Sequence, residues 1–502
     1  NVALGYLALS ADTLGSKSTA LGQRALGTQN FTTATDSYNT AVGYQAGTAV
    51  TTGQNNTFLG GRSGLSTTTG GNNTALGKDS MYSTTVGLYN VAVGEGALYT
   101  NVDGSNSVAV GRLALYTQDP ATATDMYNVA VGYNAGASVT TGVNNTFIGG
   151  LSGDAVTTGT ESVALGSNSL SANTEGTANT ALGAYALRND TLGSRSVAVG
   201  HQALNAQNFT TATSAYNVAV GVNAGVSVST GTANTLIGGL AGDALTDSDS
   251  NVAVGYASLS ADTLGKRSVA VGDGTLQQQN FTTATETYNV AVGYSAGNKV
   301  TTGIQNSFLG GTVGQSLTTG GSNAAFGYQA LRDDTLGSFS VALGSRALKF
   351  QNFTTATDSY NTAVGYAAGL VVTTGTQNTI LGGLAGDALT DADFNVAVGT
   401  SALSADTLGS RAVAIGRKAL FTQNFTTATD NYNTAVGFSA GEAITTGVNN
   451  TLLGALCGDS MTTGANNVGV GVHAIGNATL TGSFNTAVGF NAGSSTTSGA
   501  NN

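Results

Sequence analysis

The sequence predicts an all-β protein: a parallel β-solenoid of about 28 coils, with 17-residue units and periodic 21-residue coils. Three observations lead there. A short motif recurs along all 502 residues: Asn or Ser, then Thr or Val, then Ala, then an aliphatic residue, then Gly. Fixed-period self-similarity is the mark of a solenoid or array, and this unit is too short for a helix pair or a propeller blade. The composition opposes helix, because Gly, Thr, Asn and Ser dominate, while Thr and Val at the motif centre favour strand.

The closing Gly of each motif serves as a marker. The markers run from Gly5 and Gly22 through Gly43, Gly60, Gly77, Gly94, Gly111 and Gly132 to Gly489. The usual step is 17 residues, but it is 21 before Gly43, Gly132, Gly221, Gly293, Gly365 and Gly437, and the last is 18. Each enlarged step carries one signature, Asn30-Phe31-Thr32-Thr33-Ala34-Thr35-Asp36 before Tyr38-Asn39, which returns at Phe209, Phe281, Phe353 and Phe425. The second copy reads Pro120-Ala121-Thr122-Ala123-Thr124-Asp125 and holds the only Pro. No linker interrupts the pattern, so residues 1–502 read as a single continuous repeat domain. It opens on Asn1 in mid-repeat, which leads us to expect a fragment of a longer fibrous protein.

One unit reads as one coil with two short strands and two tight turns. The motif, such as Asn39 to Gly43 with Ala41 and Val42 at its centre, is one strand; the second is expected three and four residues past the marker. Side chains alternate along a strand, so the aliphatic residue before Gly and the Thr or Val two earlier share a face. Ala and the leading Asn share the other. A thin coil packs small side chains inside, and the apolar outer face then asks for a cover, for which another copy of the chain is the simplest candidate. Stacked at about 4.8 Å per coil, the units would build a rod of roughly 130 Å.

The exceptions are informative. Ala two before the marker is replaced by Phe58, Phe147, Leu236, Phe308, Ile380 and Leu452, each in the coil after an enlarged one. We expect these to fill a section widened by the enlarged coil. Some coils carry Ala-Leu past the marker, as in Ala97-Leu98, and others small-Gly, as in Ala46-Gly47. The Leu should point inward and the Gly should mark a changed turn. Met81 stands for Leu, and Cys457 reads as a small buried hydrophobe. The leading Asn suits a ladder along the axis or a turn cap.

Composition excludes several classes. Lys plus Arg is 16 against 27 for Asp plus Glu, so an acidic chain offers no nucleic-acid footprint. One Cys and two His leave no Cys-rich or His-rich metal centre. No apolar run is long enough for membrane insertion as a helix. There is no P-loop or dinucleotide fingerprint, and the glycines follow the coil period. His201 and His473 occupy variable turn positions. The pairs Asp333-Asp334 and Asp247 with Asp249 read as turn caps rather than as a glycosidase pair. No catalytic or cofactor-binding residue is assigned, and the chain reads as a non-enzyme. Calcium is kept as an alternative, because Asp243, Asp247, Asp249, Asp387, Asp391 and Asp393 would offer hard oxygen ligands from turns. Tyr often follows the marker, as Tyr6, Tyr44, Tyr133, Tyr256, Tyr294, Tyr328 and Tyr366. Of these, Tyr44, Tyr133, Tyr294 and Tyr366 are singled out as surface contacts for a glycan or receptor.

Asn-Thr-Ala-Val-Gly-Tyr-Gln-Ala-Gly at 39–47 and Ser-Val-Ala-Val-Gly-His-Gln-Ala-Leu at 196–204 resemble the head repeats of YadA-like trimeric autotransporter adhesins. They also resemble shaft repeats of some phage tail fibres. The resemblance spans nearly the whole chain as one short degenerate motif. It implies a left-handed parallel β-roll, three chains around a common axis, and adhesion to surface molecules. The longer step and the regular 21-residue coils depart from the family pattern. The expected role is a structural component of an extracellular, cell-surface or virion fibre. Its expected partner is its own chain, as a homotrimer or an end-to-end polymer; the alternative role is a carbohydrate- or receptor-binding adhesin module.

Overall fold

A computed structural model describes residues 1–476, 479–499 and 501. They form an all-β protein with no helix among the described residues, and a β-solenoid. Contacts group the chain into two compact units, Asn1–Asn251 and Val252–Asn502. Three-residue strands at the motif number 28, half of them in each unit.

In the first unit these strands run from Val2–Leu4 to Thr235–Ile237, and within the unit each strand pairs in parallel with that of the next coil, the last such pair being Val218–Val220 with Thr235–Ile237. Register follows the marker: Ala20 lies beside Ala41, and Ala41 beside Phe58. The second unit repeats the scheme from Val252–Val254 to Thr486–Val488, with Ala342 beside Ala363 and Ala363 beside Ile380. A 21-residue coil therefore keeps register by extruding its extra residues rather than by shifting the strand.

The marker glycines explain that constancy. Gly344 has φ of 132°, and a Cβ built on it would lie 2.5 Å from the carbonyl oxygen of Gly365. Gly149 meets Gly166 in the same way, at 2.6 Å. No L side chain fits that column, in conformation or in space.

The second strand is not where the sequence reading placed it. Positions three and four past the marker are turn, and the Leu there is left-handed, as at Leu26 with φ of 49°. Left-handed residues also recur two past the marker, as at Gln45, and five before it, as at Tyr38. These turns bond coil to coil: the Leu26 N–H donates to the Ala46 carbonyl at 3.0 Å, and the Gln45 N–H to the Gln23 carbonyl at 2.9 Å. The additional strands are two-residue pairs at the enlarged coils, such as Gly15–Ser16 with Thr35–Asp36 and Gly337–Ser338 with Thr357–Asp358.

The interior consists of columns. Away from the terminal coils, Ala two before the marker, Asn four before it and Leu four past it are fully buried, as at Ala41, Asn39 and Leu26. A further buried column lies seven past the marker and holds Val50, Thr67, Thr84, Asn101 and Gln118 in succession. The small-Gly turn is not a changed turn, since Gly47 has φ of 58°, close to that of Leu26. It is a volume exchange. A Cβ on Gly47 would meet the Phe58 ring at 2.7 Å, and Gly153 that of Phe147 at 2.6 Å. Space for the bulky residue comes from the missing Leu side chains, not from a widened coil.

Asn forms a ladder. The Asn56 N–H donates to Asn39 Oδ1 at 2.9 Å, and the Asn73 N–H to Asn56 Oδ1 at 3.0 Å. Each Asn Nδ2 also donates to a corner carbonyl, as from Asn56 to Gly70 at 3.0 Å. Both polar ends of a buried amide are thereby satisfied, which is the condition for burying it.

Candidate interaction surface

The outer face of the motif strands presents an aliphatic column beside a column of Thr or Val. The residue before the marker is half-buried to exposed, as at Leu59, Leu165, Leu309 and Leu453. Beneath it the Ala column is sealed, so the sheet has one dry face and one bare aliphatic face.

Two aromatic columns border that face. One holds the residue after the marker: Tyr44, Tyr133, Tyr294 and Tyr366 are all exposed, as are Tyr6, Tyr256 and Tyr328. The other lies five before the marker and was not anticipated as a surface. It holds Tyr38, Tyr127, Tyr216, Tyr288, Tyr360 and Tyr432, all exposed, one in every enlarged coil. The Tyr-Asn pair closing each enlarged stretch was its only trace in the sequence. Five of the six enlarged coils thus bracket the motif strand between two rings, as in Tyr38 with Tyr44 and Tyr360 with Tyr366, while the third has Val222 after its marker. Five residues separate the two rings, three of them the motif strand, as in Thr40–Val42.

The unanticipated column is supported from the coil before. Lys17 Nζ donates to the Tyr38 hydroxyl at 2.7 Å and pairs with Asp36 at 2.7 Å. Arg267 Nη1 donates to the Tyr288 hydroxyl at 2.7 Å and pairs with Glu286 at 3.2 Å. Arg195 reaches Tyr216 at 2.8 Å, and Arg411 pairs with Asp430 at 3.0 Å. The hydrogen bond to Asp36 and then that to Tyr38 hold the Lys17 ammonium above its usual range, and Lys17 holds the Asp36 carboxyl below its own. These groups are exposed, so their effect is to orient the ring rather than to stabilise the fold.

A second aromatic locus occurs in the first unit. Tyr82, Tyr99 and Tyr116 stack with ring centroids 4.9 and 5.0 Å apart. Beside them Arg62 pairs with Asp79 at 2.7 Å and Arg112 with Glu95 at 3.4 Å. A shallow cleft lined by Asp79, Glu95, Gly96, Tyr99, Leu113 and Tyr116 lies along the stack.

The remaining singled-out residues are dispersed. Cys457 is buried, and desolvation pushes its thiol up to about 11, so it is not a thiolate at neutral pH. His201 is exposed and meets Tyr185 edge-on at 6.0 Å. His473 is half-buried in a left-handed turn. Asp333 faces Arg332 in a two-pronged contact at 2.6 and 2.7 Å, while its neighbour Asp334 is fully buried. Asp247 and Asp249 accept from Thr230 at 3.0 Å and from the Thr232 N–H at 2.8 Å. Asp391 and Asp393 repeat this with Thr374 and Thr376 at 2.8 and 2.6 Å. Asp387 accepts from Ser404 at 2.5 Å, and burial raises its carboxyl and that of Asp243. Asp247, Asp249, Asp387, Asp391 and Asp393 thus serve coil-to-coil bonds, and among the described residues no three His, Cys, Asp or Glu gather as a metal site. The chain matches no protein-family model and no curated protein.

Proposed function

We propose that this chain is a structural component of an extracellular or virion fibre, in which copies associate through the bare aliphatic face. The observation that carries this reading is the uniformity of the stack. The glycine column recurs coil after coil, the Asn ladder and Ala column recur with periodic exceptions, and the residue before the marker stays apolar on the outer strand face. Exposed apolar strips of that extent on a repeat mark an association surface. The likeness of Asn39–Gly47 to trimeric adhesin head repeats favours three copies, and the function is non-enzymatic. Light scattering on the folded protein should give three times the 49.5 kDa chain mass. A Leu165→Lys, Leu309→Lys pair should lower that mass without unfolding the coils. A monomeric wild type would overturn the reading, and open-ended growth would replace the trimer with an end-to-end polymer.

A carbohydrate- or receptor-binding role is the second reading, favoured by the Tyr brackets. A glycan array probed with and without calcium, against a Tyr38→Ala, Tyr44→Ala variant, tests it. Binding lost in the variant supports this role, and no binding in either condition removes it.

A further inference from the structure

Five of the six enlarged coils carry the same tripeptide at the tip of their extra loop. These are Asn30-Phe31-Thr32, Asn208-Phe209-Thr210, Asn280-Phe281-Thr282, Asn352-Phe353-Thr354 and Asn424-Phe425-Thr426. Asn-x-Thr is the acceptor pattern for N-linked sugar, since the transferase needs the Asn amide and the hydroxyl two residues on. In all five the Asn and the Thr are exposed while the Phe between them is buried. That is the alternation of an extended segment, which puts amide and hydroxyl on one outward side.

The Asn side chains are also oriented. A Thr of the coil before donates to each Asn Oδ1: Thr13 to Asn30 at 2.9 Å, Thr191 to Asn208 at 2.8 Å, Thr263 to Asn280 at 3.0 Å, Thr335 to Asn352 at 2.8 Å and Thr407 to Asn424 at 3.0 Å. With the oxygen held toward the stack, the Nδ2 group faces away from it, and among the described residues no protein acceptor takes it.

Among the described residues, other Asn-x-Thr tripeptides are placed differently, and Asn477-Ala478-Thr479 lies partly outside them. In Asn55-Asn56-Thr57, Asn72-Asn73-Thr74, Asn144-Asn145-Thr146 and Asn449-Asn450-Thr451 the Thr begins a motif strand. Its N–H is bonded to the next coil, as from Thr57 to the Asn73 carbonyl at 2.8 Å, and the leading Asn is left-handed, as Asn55 with φ of 58°, so the tripeptide is not an extended segment with its Thr free of the sheet. In Asn189-Asp190-Thr191 the hydroxyl is already spent on Asn208 at 2.8 Å. The sixth enlarged coil reads Asp119-Pro120-Ala121 and replaces all three positions at once.

We propose that Asn30, Asn208, Asn280, Asn352 and Asn424 are N-glycosylation sites, taking a sugar from a diphosphate-activated donor. In that transfer Nδ2 bonds to the anomeric carbon, the carbon–oxygen bond to the diphosphate breaks, the diphosphate leaves, and one amide proton passes to base. The sugars would hydrate a surface that is poor in charge, since only 9% of residues are ionic. Glycopeptide mapping of the protein isolated from the cells or particles that carry it is the test. Enzymatic release in ¹⁸O-water should convert these five Asn to labelled Asp and leave the 119–121 loop and the strand tripeptides unlabelled. Thr32→Ala should abolish labelling at Asn30 alone. The D119N, P120F, A121T combination should add a sixth occupied site. Unmodified Asn in all five loops, or sugar carried on their Thr instead, overturns the proposal.

Discussion

The second enlarged coil and the other five solve one problem with different chemistry. Before each enlarged coil the Asn ladder meets a Ser or Ala, and the stack must be rejoined. At the fifth enlarged coil Gln351 Nε2 donates to Asp334 at 2.6 Å and to Ser340 at 2.8 Å, while its Oε1 accepts from Asn361 at 2.9 Å. Asp334 also accepts the Gly337 N–H at 3.0 Å, and the equivalent Asp406 accepts both the Gly409 N–H at 3.0 Å and the Phe425 N–H at 3.1 Å. At the second enlarged coil the carboxylate is replaced by the Asn101 amide, which accepts from Gln118 at 3.1 Å and donates to the Gly104 carbonyl at 2.9 Å. The loop residue there is Pro120, which has no N–H to satisfy. The Asp-to-Asn and Phe-to-Pro exchanges occur together, where the Phe N–H that Asp406 accepts has no counterpart and Gly104 presents its carbonyl to the Asn101 amide. Volume is exchanged too. Phe353 packs over Gly337, 2.9 Å from where a Cβ would be, whereas Met126 takes that place over Gly104 at 3.1 Å. Polar satisfaction and volume are conditions on the site, not on particular residues.

Native-state hydrogen exchange can break this comparison locally, since a repeat stack unfolds in pieces. The largest effect is expected from Phe353→Ala, which should cost about 4 kcal/mol of local opening energy around Gly337. Repair by S359M, which places a thioether where Met126 sits, should recover part of that loss; no recovery would reject the exchange of volume. Next comes Asn101→Asp, which sets a buried carboxylate against the Gly104 carbonyl. It should cost about 3 kcal/mol at neutral pH and less in acid. Gln351→Ala strands the Asp334 carboxylate and should cost about 2 kcal/mol, more than Gln118→Ala, whose partner is neutral.

A smaller effect distinguishes the blocks by pH. Desolvation raises the buried carboxyls of Asp190, Asp334 and Asp406 against the lowering effect of their Gln and backbone donors. Folding thus favours the protonated form. Its contribution is full below the unfolded value near ~3.9 and is lost as pH rises through the raised folded value. Protection beside Asp334 should fall as pH rises above about 4, protection beside Asn101 should not, and Asp334→Asn should remove the fall. A rise with pH at Asp334 would contradict the assignment. The smallest effect is expected at the surface: Tyr360→Ala should change local stability by less than about 0.5 kcal/mol, and a larger loss would show the ring to be structural.

Much of this was legible from spacing. Marker glycines at steps of 17 and 21 implied in-register coils, and the recurring bulky residues at Phe58 and Phe147 implied a packing adjustment. The source of the room was missed, because Gly47 and Phe58 adjoin only after the coil closes. The second strand was misplaced because Ala-Leu looks extended, while the turn bonds of its neighbours hold Leu26 left-handed. The Tyr38 column passed for a landmark, since nothing local shows that Lys17 lies under it across 21 residues.

The sequence by itself determined the period, the register and the sealed Ala face, because a column admitting only glycine allows one way to stack. Only the tertiary structure decided which acceptor meets which donor and which ring stands on which cation. Those partners lie one coil apart, and their match depends on the side-chain directions set by the closed turn.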